Sequence, residues 1–253
     1  MQKVCWNGCS FTEGIGFPAT QRSQYCYPGI LNQSLNFNGT NLAKAGSSNY
    51  TIFMRSAQAI VSNEFDIVFT QWSGLNRLWL YPGPDTEFSI SDDHHYEYRY
   101  RDIYLDAKTN LGIKNLLRLM NHDYQNIIDL IDYCSILECM CKTTKTKLVY
   151  INGLVPWSDD LDKDIDCNNL AQSLSSYTKS ILDFDNRNDS EILEFLIKLR
   201  SKFSILNKSL WVNLFDSFND NIQDFGPEGH HPGINSHQWM ADHLINYLNK
   251  KVL

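Results

Sequence analysis

No apolar run in this 253-residue chain reaches the ~18–20 residues that a membrane span needs. Basic charge is scarce. Lys and Arg total 22 against 29 Asp and Glu, for a net charge of −7. Phosphate-backbone binding needs a basic face, so nucleic acid is not expected as the main partner. Proline is sparse at 7, and no repeat or low-complexity segment is visible. The seven cysteines are odd in number, irregularly spaced, and lie in a chain too large to need staples. They are expected to be reduced thiols in a cytoplasmic setting. The first residues, Met1–Gly8, lack the charged and apolar regions of a signal peptide, which agrees with that location. What is present is apolar: 43% of residues are hydrophobic and 13% aromatic, enough to bury a core and to exclude disorder.

Five segments read as strands: Lys3–Trp6, Asn41–Ala45, Asp66–Trp72, Lys147–Asn152 and Ser209–Phe215. The last three are dense in β-branched and aromatic residues, as strands covered on both faces must be. Between them, apolar residues spaced by three and four predict helices over Tyr50–Ser62, Asp123–Met140, Ser190–Leu206 and Ser236–Asn249. Alternation of this kind predicts one α/β domain over 1–253, a three-layer αβα sandwich on a parallel five-stranded sheet. Two polar stretches, at about 83–108 and 158–187, are expected to be insertions, potential lids over a site.

Ligands in open α/β sheets sit beyond the carboxyl ends of strands. After the first strand comes Gly8-Cys9-Ser10, opening a turn that can present a hydroxyl beside its own backbone N–H. It is equally an ordinary Gly/Ser turn. After the second comes Gly46-Ser47-Ser48-Asn49, where glycine admits a ligand to the backbone or a side chain caps the next helix. After the third comes Gly74-Leu75-Asn76-Arg77, whose asparagine amide suits a developing oxyanion or simply makes a turn. Before the last helix comes Glu228-Gly229-His230-His231-Pro232, with a carboxylate spaced to fold back onto His231.

Taken in order, these four blocks resemble those of the SGNH hydrolases, the GDSL-like esterases and lipases. The resemblance implies a flavodoxin-like fold and serine ester hydrolysis without a cofactor. It implies Ser10 as nucleophile, His231 as general base and Glu228 as the acid orienting it. It also implies an oxyanion hole from the N–H groups of Ser10 and Gly46 and the side chain of Asn76. Trp72 and Arg77 are placed as substrate-binding residues beside it. The chain departs from the family at Cys9 and Arg77, where aspartates are usual, and at Glu228, where the usual acid is aspartate. Asp224 or a carbonyl is an alternative partner for His231, and His230 is an adjacent competitor.

Other readings stay open. Cys9 is itself a potential nucleophile, or a buried inert thiol. A metal site from His94, His95, His230, His231 and His237 with Asp92 or Asp93 lacks the usual zinc spacing. Cys134, Cys139 and Cys141 are expected on a helix as small fillers, with Cys134 and Cys141 sharing a face. The alternating tract Tyr96–Arg101 suits sugar stacking or an anion, or is an edge strand. The acidic run Asp159–Asp166 is expected to be a solvated loop. The expected substrate is a small acyl ester, acetyl foremost, on a saccharide or other polar metabolite. An O-acyltransferase and an inactive glycan-binding protein are the alternatives on the same fold. The sequence does not specify an oligomeric state.

Overall fold

The structure is a computed structural model that describes residues 1–74, 77–79, 97–99, 123–154, 157 and 189–251. In chain order the elements are β1 (Lys3–Asn7), α1 (Ser10–Glu13), α2 (Ala19–Tyr25), α3 (Tyr27–Ser34), β2 (Asn38–Asn41), α4 (Asn49–Val61) and β3 (Ile67–Trp72). There follow β4 (Arg77–Trp79), β5 (Glu97–Arg99), α5 (Asp123–Thr143), β6 (Lys147–Asn152), α6 (Asp189–Phe203) and α7 (Ile234–Lys251).

Among the described residues four parallel strands form the main sheet, in the order β2-β1-β3-β6. Side chains alternate across it, as the two-residue period of a strand requires. Val4, Trp6, Ile67, Phe69, Val149 and Ile151 face one side, where α1, α3 and α7 cover them. Cys5, Val68, Leu148 and Tyr150 face the other, under α4, α5 and α6. Trp6 stacks on Phe69 at 4.0 Å between ring centroids across the β1–β3 pair. Both faces are therefore dry, which is why these strands read as nearly continuous apolar runs.

The expected fifth strand is replaced. Trp211 makes a single parallel bridge to Tyr150, and Val212 N–H donates to Tyr150 C=O at 3.0 Å. One residue further on, a side chain takes over from the ladder. Asn213 Oδ1 accepts from Asn152 N–H at 3.0 Å, and Asn213 Nδ2 donates to Asn152 C=O at 3.1 Å. Asn152 Nδ2 in return donates to the carbonyls of Asn213 and Leu214, both at 2.8 Å. The amide satisfies the main-chain groups of the edge strand, so Ser209–Phe215 does not run as a strand.

The second strand lies over Asn38–Asn41, earlier than the expected Asn41–Ala45. A further two-stranded antiparallel sheet pairs β4 with β5, so part of the Tyr96–Arg101 tract is a strand. Of the insertion at about 83–108, only this strand is described; the one at 158–187, with its acidic run, lies outside the described residues, as do Asp92–His95. Cys134 is buried and Cys141 partly so, on one face of α5, whereas Cys139 is exposed and fills no core. Cys5, Cys9, Cys26, Cys134, Cys139 and Cys141 are all free thiols. Among the described residues no helix is long and apolar enough to cross a membrane.

Candidate active site

The site begins at the carboxyl end of β1. Gly8 is obligatory there: a Cβ would stand 2.3 Å from Thr12 Oγ1 and 2.8 Å from Gln71 Cβ. The chain turns at once into α1, with Cys9 in extended conformation as N-cap and Ser10 as the first helical residue. N–H groups of a first helical turn have no partner within the helix, so the Ser10 N–H is a free-standing donor type. Ser10 is 1% exposed, and its Oγ is buried without a hydrogen-bond partner among the described residues. A hydroxyl in that state is uncommon, because burying one unpaired is costly.

The Gly46 loop is tied to this turn. Glu13 Oε2 accepts from Ala45 N–H at 2.5 Å, and its other oxygen pairs with Arg22 at 2.9 Å. Asn41 Nδ2 donates to Thr12 C=O at 2.9 Å. Gly46 itself holds φ = 82°, a left-handed conformation that glycine adopts without strain. Ser48, and not Asn49, caps α4: its Oγ accepts from Thr51 N–H at 3.2 Å. Asn49 instead joins this loop to the one after β3. Its Oδ1 accepts from Ser73 N–H at 2.8 Å, and its Nδ2 donates to Ser73 C=O at 3.4 Å. Asn76 lies outside the described residues, and the side chain of Arg77 is likewise not described. Trp72 corrects an expectation. It is 1% exposed and packs on Tyr150 in the core at 5.8 Å, because its position alternates to the α5 face and away from solvent.

The fourth block is a hairpin before α7. Gly226 N–H donates to His231 C=O at 2.8 Å, and Gly233 N–H to Asp224 C=O at 2.9 Å. This fold-back brings Glu228 Oε1 onto His231 Nδ1 in a short contact. His231 keeps 16% of its side chain exposed and Glu228 keeps 43%. The histidine sits against the α1 segment: its ring centroid is 6.2 Å from that of Phe11, and a Cβ on Gly16 would stand 3.2 Å from its Cβ. Ser10 Oγ and His231 are not hydrogen-bonded, a geometry common before substrate binds. His230 is exposed.

Asp224 is committed elsewhere. Its carboxylate accepts from Asn235 N–H at 3.0 Å, and from Ser236 N–H and Oγ at 2.8 Å each, capping the first turn of α7. Burial works to raise its pKa. The hydrogen bonds from Ser236 and Asn235 outweigh burial and hold the carboxyl below its ordinary value. His237 is fully buried, with its Nδ1 accepting from Tyr27 N–H at 3.2 Å. Burial drives its pKa down to about 3 against the partial opposition of Asp224, so it is a neutral core residue. Among the described residues no group of three or more His, Cys, Asp or Glu could hold a metal ion.

Under the Ser10 turn lies a buried polar group that motif spacing alone does not signal. Thr12 Oγ1 meets Tyr27 OH at 2.9 Å and donates to Gln71 Oε1. Cys9 Sγ lies 3.8 Å from the same Gln71 oxygen, so its thiol is turned into the interior and away from any nucleophilic role. Burial pushes the Tyr27 phenol well above its ordinary pKa, which keeps it a neutral donor.

Parallel strands with helices on both faces define an α/β fold of the flavodoxin-like type, with a serine, an acid–histidine pair and a glycine loop at the carboxyl ends of the strands. Among solved structures the chain is similar to TesA, with a TM-score of 0.50 over 99% of this chain and 100% of that one at 9% identity. At that identity the likeness establishes the fold. It is also similar to LAE5, an alpha/beta hydrolase enzyme from the metagenome of Lake Arreo, Spain, at 14% identity, TM-score 0.47, covering 98% and 95% of the two chains. An acetyl xylan esterase, AlAXEase, aligns at 11% identity, TM-score 0.45, covering 96% and 98%. No protein-family model and no curated protein sequence matches the chain.

Proposed function

We propose that the chain is a serine ester hydrolase of the SGNH type, acting on a small acyl ester, acetyl foremost, of a saccharide or other polar metabolite. The observation that carries this is the Glu228–His231 contact on a hairpin packed against the segment that presents Ser10. TesA shares the fold over nearly the whole chain, which is consistent with the proposal.

In the proposed reaction Ser10 Oγ attacks the ester carbonyl carbon. His231 Nε2 takes the hydroxyl proton, and the Nδ1–H donates to Glu228, which fixes the tautomer and stabilises the imidazolium. The negative charge that develops on the carbonyl oxygen is held by the N–H groups of Ser10 and Gly46 and by the Asn76 amide. Collapse breaks the ester C–O bond, and the proton on His231 passes to the leaving alcohol. Water then attacks the acyl-Ser10 with His231 again as base, releasing the carboxylic acid and restoring the hydroxyl. No cofactor takes part in these steps.

The test is hydrolysis of p-nitrophenyl acetate, butyrate and octanoate by the wild type, Ser10→Ala and His231→Ala. The proposal expects turnover, strongest on acetate, that both variants lose. Equal rates for the wild type and Ser10→Ala on every ester would refute it. Acyl transfer to an added saccharide in place of water would redirect it to an O-acyltransferase.

A further inference from the structure

Building on Ser10 as nucleophile, we propose that Gln71 is the positioning residue of the catalytic turn, holding Ser10 in register through the residues on either side of it. Gln71 belongs to the central strand β3 and is fully buried. Its side chain alternates with Ile67 and Phe69 onto the otherwise apolar face beneath α1 and α7. A polar amide at that place needs a partner. Its Oε1 finds two, and both lie on the turn: Cys9 Sγ, immediately before Ser10, at 3.8 Å, and Thr12 Oγ1, two residues after it; its Nε2 is buried with no partner among the described residues.

The amide is confined as well as bonded. A Cβ on Gly8 would stand 2.8 Å from Gln71 Cβ, and one on Gly153 would stand 2.9 Å from Gln71 Cγ and 3.0 Å from its Cδ. Two glycines therefore form a slot through which the side chain runs from the sheet to the turn. Thr12 gives its hydrogen to Gln71, so at the Thr12–Tyr27 contact the phenol is the donor. The resulting chain Tyr27–Thr12–Gln71 anchors α1 to both β3 and α3. Because α1 is only four residues long, its own hydrogen bonds cannot fix its orientation. This residue supplies what neither the sequence before Ser10 nor the helix itself supplies: a rigid attachment of the nucleophile to the sheet.

The experiment compares wild type, Gln71→Met, Gln71→Glu, Thr12→Val and the Gln71→Met/Thr12→Val double variant. Active sites are counted with a fluorophosphonate, and p-nitrophenyl acetate kinetics are expressed per labelled site. Misplacing a reacting group by about 1 Å costs about 10²-fold in rate. Gln71→Met should therefore lower kcat per labelled site by roughly 10–100-fold with KM changed less than about twofold. Gln71→Glu keeps the acceptor and should recover most of that loss. Thr12→Val should fall in the same direction, and the double variant should be no worse than the poorer single one, since both break one linkage. A merely structural role would instead reduce the number of labelled sites and leave kcat per site alone; that outcome overturns the proposal. If Gln71→Met does not fold, Thr12→Val with unchanged kcat per site overturns it equally. Wild-type turnover by Ser10→Ala would remove the nucleophile on which the proposal rests, an outcome distinct from failure of Gln71 alone.

Discussion

Replacing Asp224 and Glu228 in turn separates two carboxylates that stand four residues apart and do different work. Asp224 accepts three hydrogen bonds at 2.8–3.0 Å from Asn235 and Ser236, two of them from main-chain N–H groups in the first turn of α7. Loss of a helix cap costs about 0.5–2 kcal/mol, and the bonds here are to a charged acceptor, so about 2 kcal/mol is expected for Asp224→Ala. For a chain of this size that lowers Tm by roughly 4–8 °C. Among the described residues Glu228 holds only His231, and it leaves 43% of its side chain in solvent. Glu228→Ala should therefore change stability by no more than about 0.5 kcal/mol. Its effect falls on the histidine tautomer, where loss of the third member of a triad lowers kcat by up to about 10⁴-fold. Water can partly replace an exposed acid, so about 10²-fold is the expected minimum. The assay is thermal unfolding beside p-nitrophenyl acetate kinetics on the same preparations. Asp224→Ala that melts like the wild type but loses activity, with Glu228→Ala fully active, would refute the assignment.

Two further outcomes follow from buried groups at the site. His237 has its pKa lowered by burial from 6.5 to about 3, so below pH 6.5 the unfolded chain takes up a proton that the folded chain refuses. Its contribution to stability is thus complete above pH 6.5 and is lost as pH falls toward 3. Urea titrations between pH 6.5 and 4 should show wild-type stability falling more steeply than that of His237→Gln, by at most about 1.4 kcal/mol per pH unit. Parallel slopes for the two proteins would contradict it. Gly8→Ala drives a Cβ to 2.3 Å from Thr12 Oγ1 and 2.8 Å from Gln71 Cβ, so the turn must shift. It should cost about 1–3 kcal/mol in thermal or urea unfolding and reduce turnover with it, whereas wild-type values in both assays would show that the turn tolerates a side chain.

Strands β1, β3 and β6 were legible because they are buried on both faces, whereas β2, Asn-Gly-Thr-Asn, is largely exposed and lies earlier than its composition suggested. Ile67–Trp72 and Lys147–Asn152 have the apolar density of strands covered on both faces. Long helices were legible for the complementary reason: α4, α5, α6 and α7 each carry an apolar stripe wide enough to cover one face. The short helices α2 and α3 were not, since α2 buries no residue and leaves no stripe to read. Ser209–Phe215 has the composition of a strand, yet Asn213 satisfies the neighbouring main chain with its side chain, and local composition carries no sign of that substitution. The same limit applies to the site. Spacing brought Glu228 to His231 within one hairpin, because a fold-back over three residues is local. Asn49 and Gln71 act across elements, on Ser73 and on Cys9 and Thr12, and only the register of β1 against β3 places them there. Trp72 shows the converse: it follows the right strand and still faces the core, one residue out of phase with Gln71.

The central claim is that Ser10 is a nucleophile activated by His231. The direct measurement is covalent labelling by a fluorophosphonate, located by peptide mass spectrometry in the wild type, Ser10→Ala and His231→Ala. The account expects one label per chain on the peptide bearing Ser10, none in Ser10→Ala, and labelling slowed at least about 10²-fold in His231→Ala. Label on another residue, or equal labelling of the wild type and His231→Ala, would contradict it.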